Sequence, residues 1–186
     1  MSDHLVKSPE HLLRTYFHAK DENRPHLMSQ VFSETAMLEM VVKTGTIAFP
    51  PVSQGRAAIT DVLSRRFAQT YENIYSFYLQ RPSGVASSFS CDWMVGMSEK
   101  ADGAVRVGCG RYDWNFRQQA PLLVERLVIT IEVMQVLPPP DLACIMAWLT
   151  ALPYPWCSAS AAITSAPPLN ALEPVVQYVG RRTRGA

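Results

Sequence analysis

Residues Ser87–Gln118, SSFSCDWMVGMSEKADGAVRVGCGRYDWNFRQ, decide the fold. Asp102-Gly103 is a dipeptide that suits a tight hairpin turn. On either side of it run SSFSCDWMVGM and VRVGCGRYDWNFR, both rich in β-branched and aromatic residues, so two long antiparallel strands are predicted. Because a strand sends alternate side chains to opposite faces, its second arm sets Cys109, Arg111, Asp113 and Asn115 on one face and Tyr112, Trp114 and Phe116 on the other. One row offers chemistry, the other apolar bulk, which Phe89 and Trp93 of the first arm extend. An Arg and an Asp two residues apart can point together into a sheathed hollow, where burial and mutual attraction shift their proton affinities. The same pair on a solvated face is a structural ion pair.

Upstream, Ser8-Pro9-Glu10 reads as an N-cap, a first-turn proline and an acid, followed by Leu12, Leu13, Tyr16 and Phe17 at helical spacing. That stripe faces a core. His11 and His18 fall on the opposite side, so the regular spacing of His4, His11 and His18 is a poor metal ladder. Pro25–Phe32 predicts a short second helix, Ala36–Val42 a strand, Thr44–Gln54 a loop, Gly55–Phe67 a helix and Ile74–Gln80 a strand. Val124–Val136 is β-branched enough to be a long central strand. Helices first and strands afterwards indicate α+β, with helices gathered on one face of a curved, mostly antiparallel sheet. Pro138-Pro139-Pro140 ends the sheet region; Leu142, Ile145, Met146 and Leu149 mark a further helix, and the chain beyond Pro153 reads as an irregular tail.

The whole chain narrows the function classes. Its 186 residues suit one domain with an extension, and a net charge of +1 with 48% hydrophobic residues marks a globular protein. The one dense basic run, Arg181, Arg182 and Arg184, is a tail rather than a nucleic-acid stripe. No signal-peptide pattern and no membrane-length apolar run is present, so a cytoplasmic protein with no nucleic-acid or membrane partner is expected. Cys91, Cys109, Cys144 and Cys157 lack C-x-x-C or framework spacing, and reduced thiols are expected.

The element order, together with YFHAKDENRPHLMSQVFSETAMLEM, the loop-to-helix join QGRAAI and the strand GRYDWNF, resembles the nuclear-transport-factor-2-like superfamily, and within it the SnoaL-like branch. The similarity covers roughly residues 5–137, leaving 138–186 as a C-terminal helix and irregular tail. It implies a cone-shaped, curved mixed sheet wrapped around N-terminal helices, an open pocket, and a homodimer formed through the outer face of the sheet. Tyr16 stands where ketosteroid isomerases of this superfamily place an oxyanion-stabilising tyrosine, and Asp113 is similar in place to their partnering acid. Where they carry a general-base carboxylate this chain has Met40, with Glu39 pointing to the other face. Arg111-x-Asp113 resembles the Arg-x-Asp of limonene-epoxide hydrolases, for which Glu132 is the carboxylate available on the last strand. Asp21 matches a helix-end aspartate used by scytalone dehydratases, whose sheet histidines have no counterpart here.

The resemblance thus implies catalytic roles for Asp113, Arg111, Tyr16 and Asp21, and ligand contacts for Asn115, Met40 and Glu132. Arg111 and Asp113 are expected to face the concave interior, with Tyr112, Trp114 and Phe116 turned outward into a subunit contact. The implied function is a pocket for a small apolar, polyketide- or steroid-like molecule, with cofactor-free isomerisation, hydration, dehydration or cyclisation as its chemistry. No cofactor or metal is implied. The alternative is a non-catalytic ligand-binding or structural dimerisation module.

Overall fold

Ser8 caps the first helix as its place before Pro9 predicts: the His11 N–H donates to its hydroxyl at 3.2 Å, and α1 runs Pro9–Asp21. The computed structural model describes residues 8–84 and 86–181; His4, Arg182 and Arg184 lie outside them. The α1 stripe is buried throughout, Leu12, Leu13, Tyr16 and Phe17 being at most 1% exposed, while His11 and His18 face solvent. A 3-10 turn, Pro25–Gln30, leads into β1, Phe32–Val42. The segment expected to be all loop ends in a short strand, β2, Val52–Gln54. Next come α2, Arg56–Thr60, a π-helical turn, Asp61–Arg66, and α3, Phe67–Thr70, as one continuous helical run.

The sheet is completed by β3, Tyr71–Tyr78, β4, Ser88–Glu99, β5, Val105–Phe116, and β6, Val124–Leu137. Its order is β2-β1-β6-β5-β4-β3, which makes β6 central, as its β-branched run predicts. Only β1 and β6 pair in parallel, so the sheet is mixed. Asp102-Gly103 does reverse the chain, but inside a longer connection, residues 100–104, in which Gly103 takes φ +76° and the Ala104 N–H donates to Asp102 Oδ1 at 2.9 Å. The fold is therefore α+β, a curved mixed sheet with α1 and the α2–α3 run inside it.

The helix marked by Leu142, Ile145, Met146 and Leu149 forms, and beyond Pro153 the chain is more ordered than its weak periodicity predicts. Three helices form, α4, Leu142–Thr150, α5, Ala159–Thr164, and α6, Glu173–Gly180. They are short, and tertiary contacts hold them. Ile145, Leu149, Val175 and Val179 pack on Phe77, Met94, Val107 and Cys109 of the sheet's outer face, making a second core behind the first. The Trp148 indole donates to the Ala162 carbonyl at 3.0 Å. A glycine admits this layer: a β-carbon on Gly96 would stand 2.2 Å from Leu149 Cδ1. Cys91 packs in the inner core and Cys109 in the outer, so the two thiols lie on opposite sides of the sheet, and all four cysteines are free.

The decisive correction concerns β5. Tyr112, Trp114 and Phe116 face inward, at most 4% exposed, and Arg111, Asp113 and Asn115 lie on the convex face. The reason is volume. The concave side of a cone must be filled, and the aromatic row meets the α1 stripe there, Tyr16 packing edge-on to Trp114 at 5.1 Å and to Tyr112 at 6.1 Å. Gly110, in the same row, lets β6 and Trp93 approach closely, since a β-carbon there would come within 1.9 Å of the Thr130 carbonyl oxygen of β6. Gly110→Ala should lower unfolding free energy by about 3 kcal/mol, whereas Gly45→Ala, which meets nothing within 4 Å, should be near neutral; urea denaturation compares the two.

Candidate functional site

Between the sheet and the helices lies a narrow cavity of about 50 Å³. Each surrounding element contributes to it: Tyr16 and Lys20 from α1, Met40 from β1, Leu63 and Phe67 from the α2–α3 run, and Ser76 from β3. Trp93, Tyr112 and Ile131 enter from β4, β5 and β6, and Ile47 and Phe49 from the loop after β1. Most of these are apolar. Tyr16 and Lys20 of α1 and Ser76 of β3 supply polar groups on one side, and the Trp93 indole and Tyr112 hydroxyl add two from the sheet.

Tyr16 and Lys20 are one helical turn apart and so share the inward face of α1. The Tyr16 hydroxyl is buried without a hydrogen bond of good geometry, and burial pushes its pKa far up, with the Asp21 charge adding to the effect and the neighbouring Tyr112 hydroxyl, as a hydrogen-bonding group, opposing it. It is therefore a neutral donor at any working pH. Lys20, 5% exposed, pairs with Asp21 Oδ1 and donates to Ser76 Oγ at 3.1 Å; its ammonium stands 4.7 Å from the Phe67 ring centroid. The Asp21 side chain is 3% exposed, and Oδ2 has no hydrogen bond. Burial raises the Asp21 carboxyl above the usual carboxylate range, against the pull of Lys20 and Ser76. Behind them, the Tyr78 hydroxyl donates to the Leu13 carbonyl at 2.8 Å and its ring stacks on Phe17 at 3.9 Å, holding α1 to β3.

Of the residues expected to form the site, Tyr16 and Met40 line this cavity and Asp21 stands directly behind it. The other four do not. Arg111 Nε bonds Asp113 Oδ1 at 3.1 Å on the convex face, where Ser90 also donates to Asp113. Asn115 is exposed on the same face. Glu132 sits where β6 slips by a residue against β5, and it pairs with Lys43 at 2.9 Å. Glu39 also points outward, to Arg126 at 2.8 Å. Lys20, Ser76 and Trp93 were missed. Lys20 carried a signal, being four residues beyond Tyr16 and so on its face, but an Ala-Lys-Asp helix end reads as solvated. Among the described residues no three His, Cys, Asp or Glu side chains converge as metal ligands.

Comparison with solved structures shows the fold. A nuclear transport factor 2-like superfamily protein from Salmonella enterica serovar Typhimurium superposes with a TM-score of 0.55 at 13% identity, over 67% of this chain and 88% of that one. A ketosteroid isomerase-like protein from Erwinia carotovora gives 0.52 at 12%, over 71% and 99%. The hexachlorocyclohexane dehydrochlorinase LinA, type 2, gives 0.54 at 10%, over 68% and 84%. This chain thus has the nuclear-transport-factor-2-like fold. No protein-family model matches its sequence, and no curated protein does either. Among the described residues no helix is long and apolar enough to cross a membrane.

The Lys20–Asp21 pair predicts its own stability test. Lys20→Met leaves a buried carboxylate without its cation and should cost about 3–5 kcal/mol, while Lys20→Met with Asp21→Asn together should recover most of that loss; thermal melts of the three proteins distinguish the cases.

Proposed function

We infer that this chain is a small-molecule pocket protein whose ligand sits inside the cone, with an oxygen of the ligand accepting from the Tyr16 hydroxyl. The observation that carries this reading is a buried hydroxyl without a partner in an otherwise apolar cavity. Met40, Ile131 and Tyr112 supply the apolar walls. The narrow cavity favours a compact ligand over a steroid- or polyketide-sized one. Solved neighbours of this fold bear isomerase-like and dehydrochlorinase names, which supports small-molecule chemistry as the class.

A catalytic version of the reading is favoured by Asp21. A carboxyl with a raised pKa and an unpartnered Oδ2, close to a neutral tyrosine donor, suits proton transfer beside a developing oxyanion, the requirement of cofactor-free isomerisation or elimination. Arg111, Asp113, Asn115 and Glu132 have no part in it. A homodimer remains part of the proposal, with its contact on the strip of convex face that α4–α6 leave open, around Glu39, Val41 and Val128.

Ligand titrations followed by Trp93 fluorescence test the site. Tyr16→Phe should weaken binding of a small ketone about tenfold, the loss of one hydrogen bond, and Asp113→Asn should change it less than about twofold. The reverse order would return the site to the convex face. If a panel of β,γ-unsaturated ketones and halogenated rings is turned over, Asp21→Asn should lower the rate by about a hundredfold or more; an unchanged rate removes Asp21 from the chemistry.

A further inference from the structure

The cavity's polar lining is rich in donors. Tyr16 of α1 offers an O–H without a good hydrogen bond, and Trp93 of β4, which also lines the cavity, has an indole N–H with no partner. Lys20 has three N–H groups and spends two of them, on Asp21 Oδ1 and Ser76 Oγ. The hydroxyls of Tyr16, Ser76 and Tyr112 can accept as well as donate, but the lining itself holds a cation and no anion, since Asp21 stands behind it. Its volume of about 50 Å³ corresponds to roughly four waters, hence to a ligand of about four to six heavy atoms.

We propose that Lys20 is a ligand-contacting residue and that the cavity selects a compact aliphatic carboxylic acid, whose carboxylate accepts from the remaining Lys20 N–H and from the Tyr16 hydroxyl while its short chain lies against Met40 and Ile131. This rests on the reading of the cone interior as the ligand pocket and adds the ligand's chemical class.

Charge balance sets the conditions of binding. Lys20 and Asp21 cancel, so a carboxylate entering alone would leave one uncompensated negative charge in a nearly dry space. Asp21 removes that charge by taking up a proton on its free Oδ2. Burial already pushes this carboxyl upward. The ionisable groups that face it are Lys20 and Tyr16 on α1, Tyr78 on β3, Tyr112 on β5 and Tyr154 after α4, and burial holds all four tyrosines neutral. Lys20 is thus the one charge opposite Asp21 in this set. Before binding Asp21 is ion-paired with Lys20 and the free acid carries its own charge, whereas the complex holds one extra proton shared between two carboxylates. Binding therefore tightens as pH falls.

Calorimetric titration of the full chain with isobutyrate and with its neutral isostere isobutyramide, between about pH 5.5 and 8, tests this. Isobutyrate should bind at least about tenfold more tightly than the amide at the acid end and lose up to about tenfold per pH unit as pH rises, with one proton taken up per ligand; the amide should show no pH dependence. Lys20→Met is expected to fold poorly, so the Lys20→Met, Asp21→Asn double variant carries the comparison. It should melt near the parent and bind acid and amide equally, the preference for the acid being lost. An acid that binds no better than the amide, or a double variant that keeps the preference, overturns the assignment and leaves Lys20 a structural residue in a pocket that still binds. If neither compound, nor the neutral ketone 3-methyl-2-butanone, shifts the methyl NMR signals of Met40 and Ile131, the pocket reading fails and takes this one with it.

Discussion

Everything in this structure follows from which row of β5 turns inward. A pleated strand offers two rows and no compromise between them. With Tyr112, Trp114 and Phe116 inside, α1 finds an aromatic floor for Leu13, Tyr16 and Phe17, and the cone closes around it. Arg111 and Asp113 must then stand outside, in register with Asp92 and Ser90 of β4. The aromatic row inside also leaves little free space. The cavity is what remains between Tyr16, Tyr112, Trp93 and the aliphatic wall of β6, and its one charged lining group comes from α1.

The second consequence concerns the outside. The C-terminal helices bury Phe77, Met94, Val107 and Cys109, covering part of the convex sheet with this chain's own residues. Arg181, just past α6, donates to both oxygens of Asp92 at 3.0 and 3.1 Å and so fastens this layer to β4 beside Arg111. The polar network around Arg111, Asp113 and Asp92 thus reads as the seam between the covered and open parts of that face. Its charges are satisfied by one another, which is the work of structural ion pairs.

Much of the fold could be read from the sequence because it is written in local signals. Ser8-Pro9 caps α1, the hairpin follows alternation across Asp102-Gly103, and the β-branched run makes β6 central. What could not be read is whatever depends on the third dimension. Alternation gives two rows but not their direction, and the resemblance pointed Arg-x-Asp inward; only packing volume against α1 decides otherwise. Glu132 could not be placed because β6 slips by a residue at that point, which no periodicity shows. The helices α5 and α6 are too short and proline-dotted to announce themselves, since their order comes from the sheet beneath. Lys20 was hidden by a rule that is usually sound, that a lysine at a helix end is solvated. Its burial requires a partner supplied from both sides, Asp21 next to it and Ser76 from β3.

Where a ligand goes decides between the two faces of the sheet, and a crystal structure of the protein soaked with a mixture of small acids and ketones locates it. Density is expected inside the cone, with an oxygen within hydrogen-bonding distance of Tyr16 Oη and carbon atoms against Met40. Density seated on the convex face at Arg111 and Asp113, with the cone interior unchanged, would contradict this expectation.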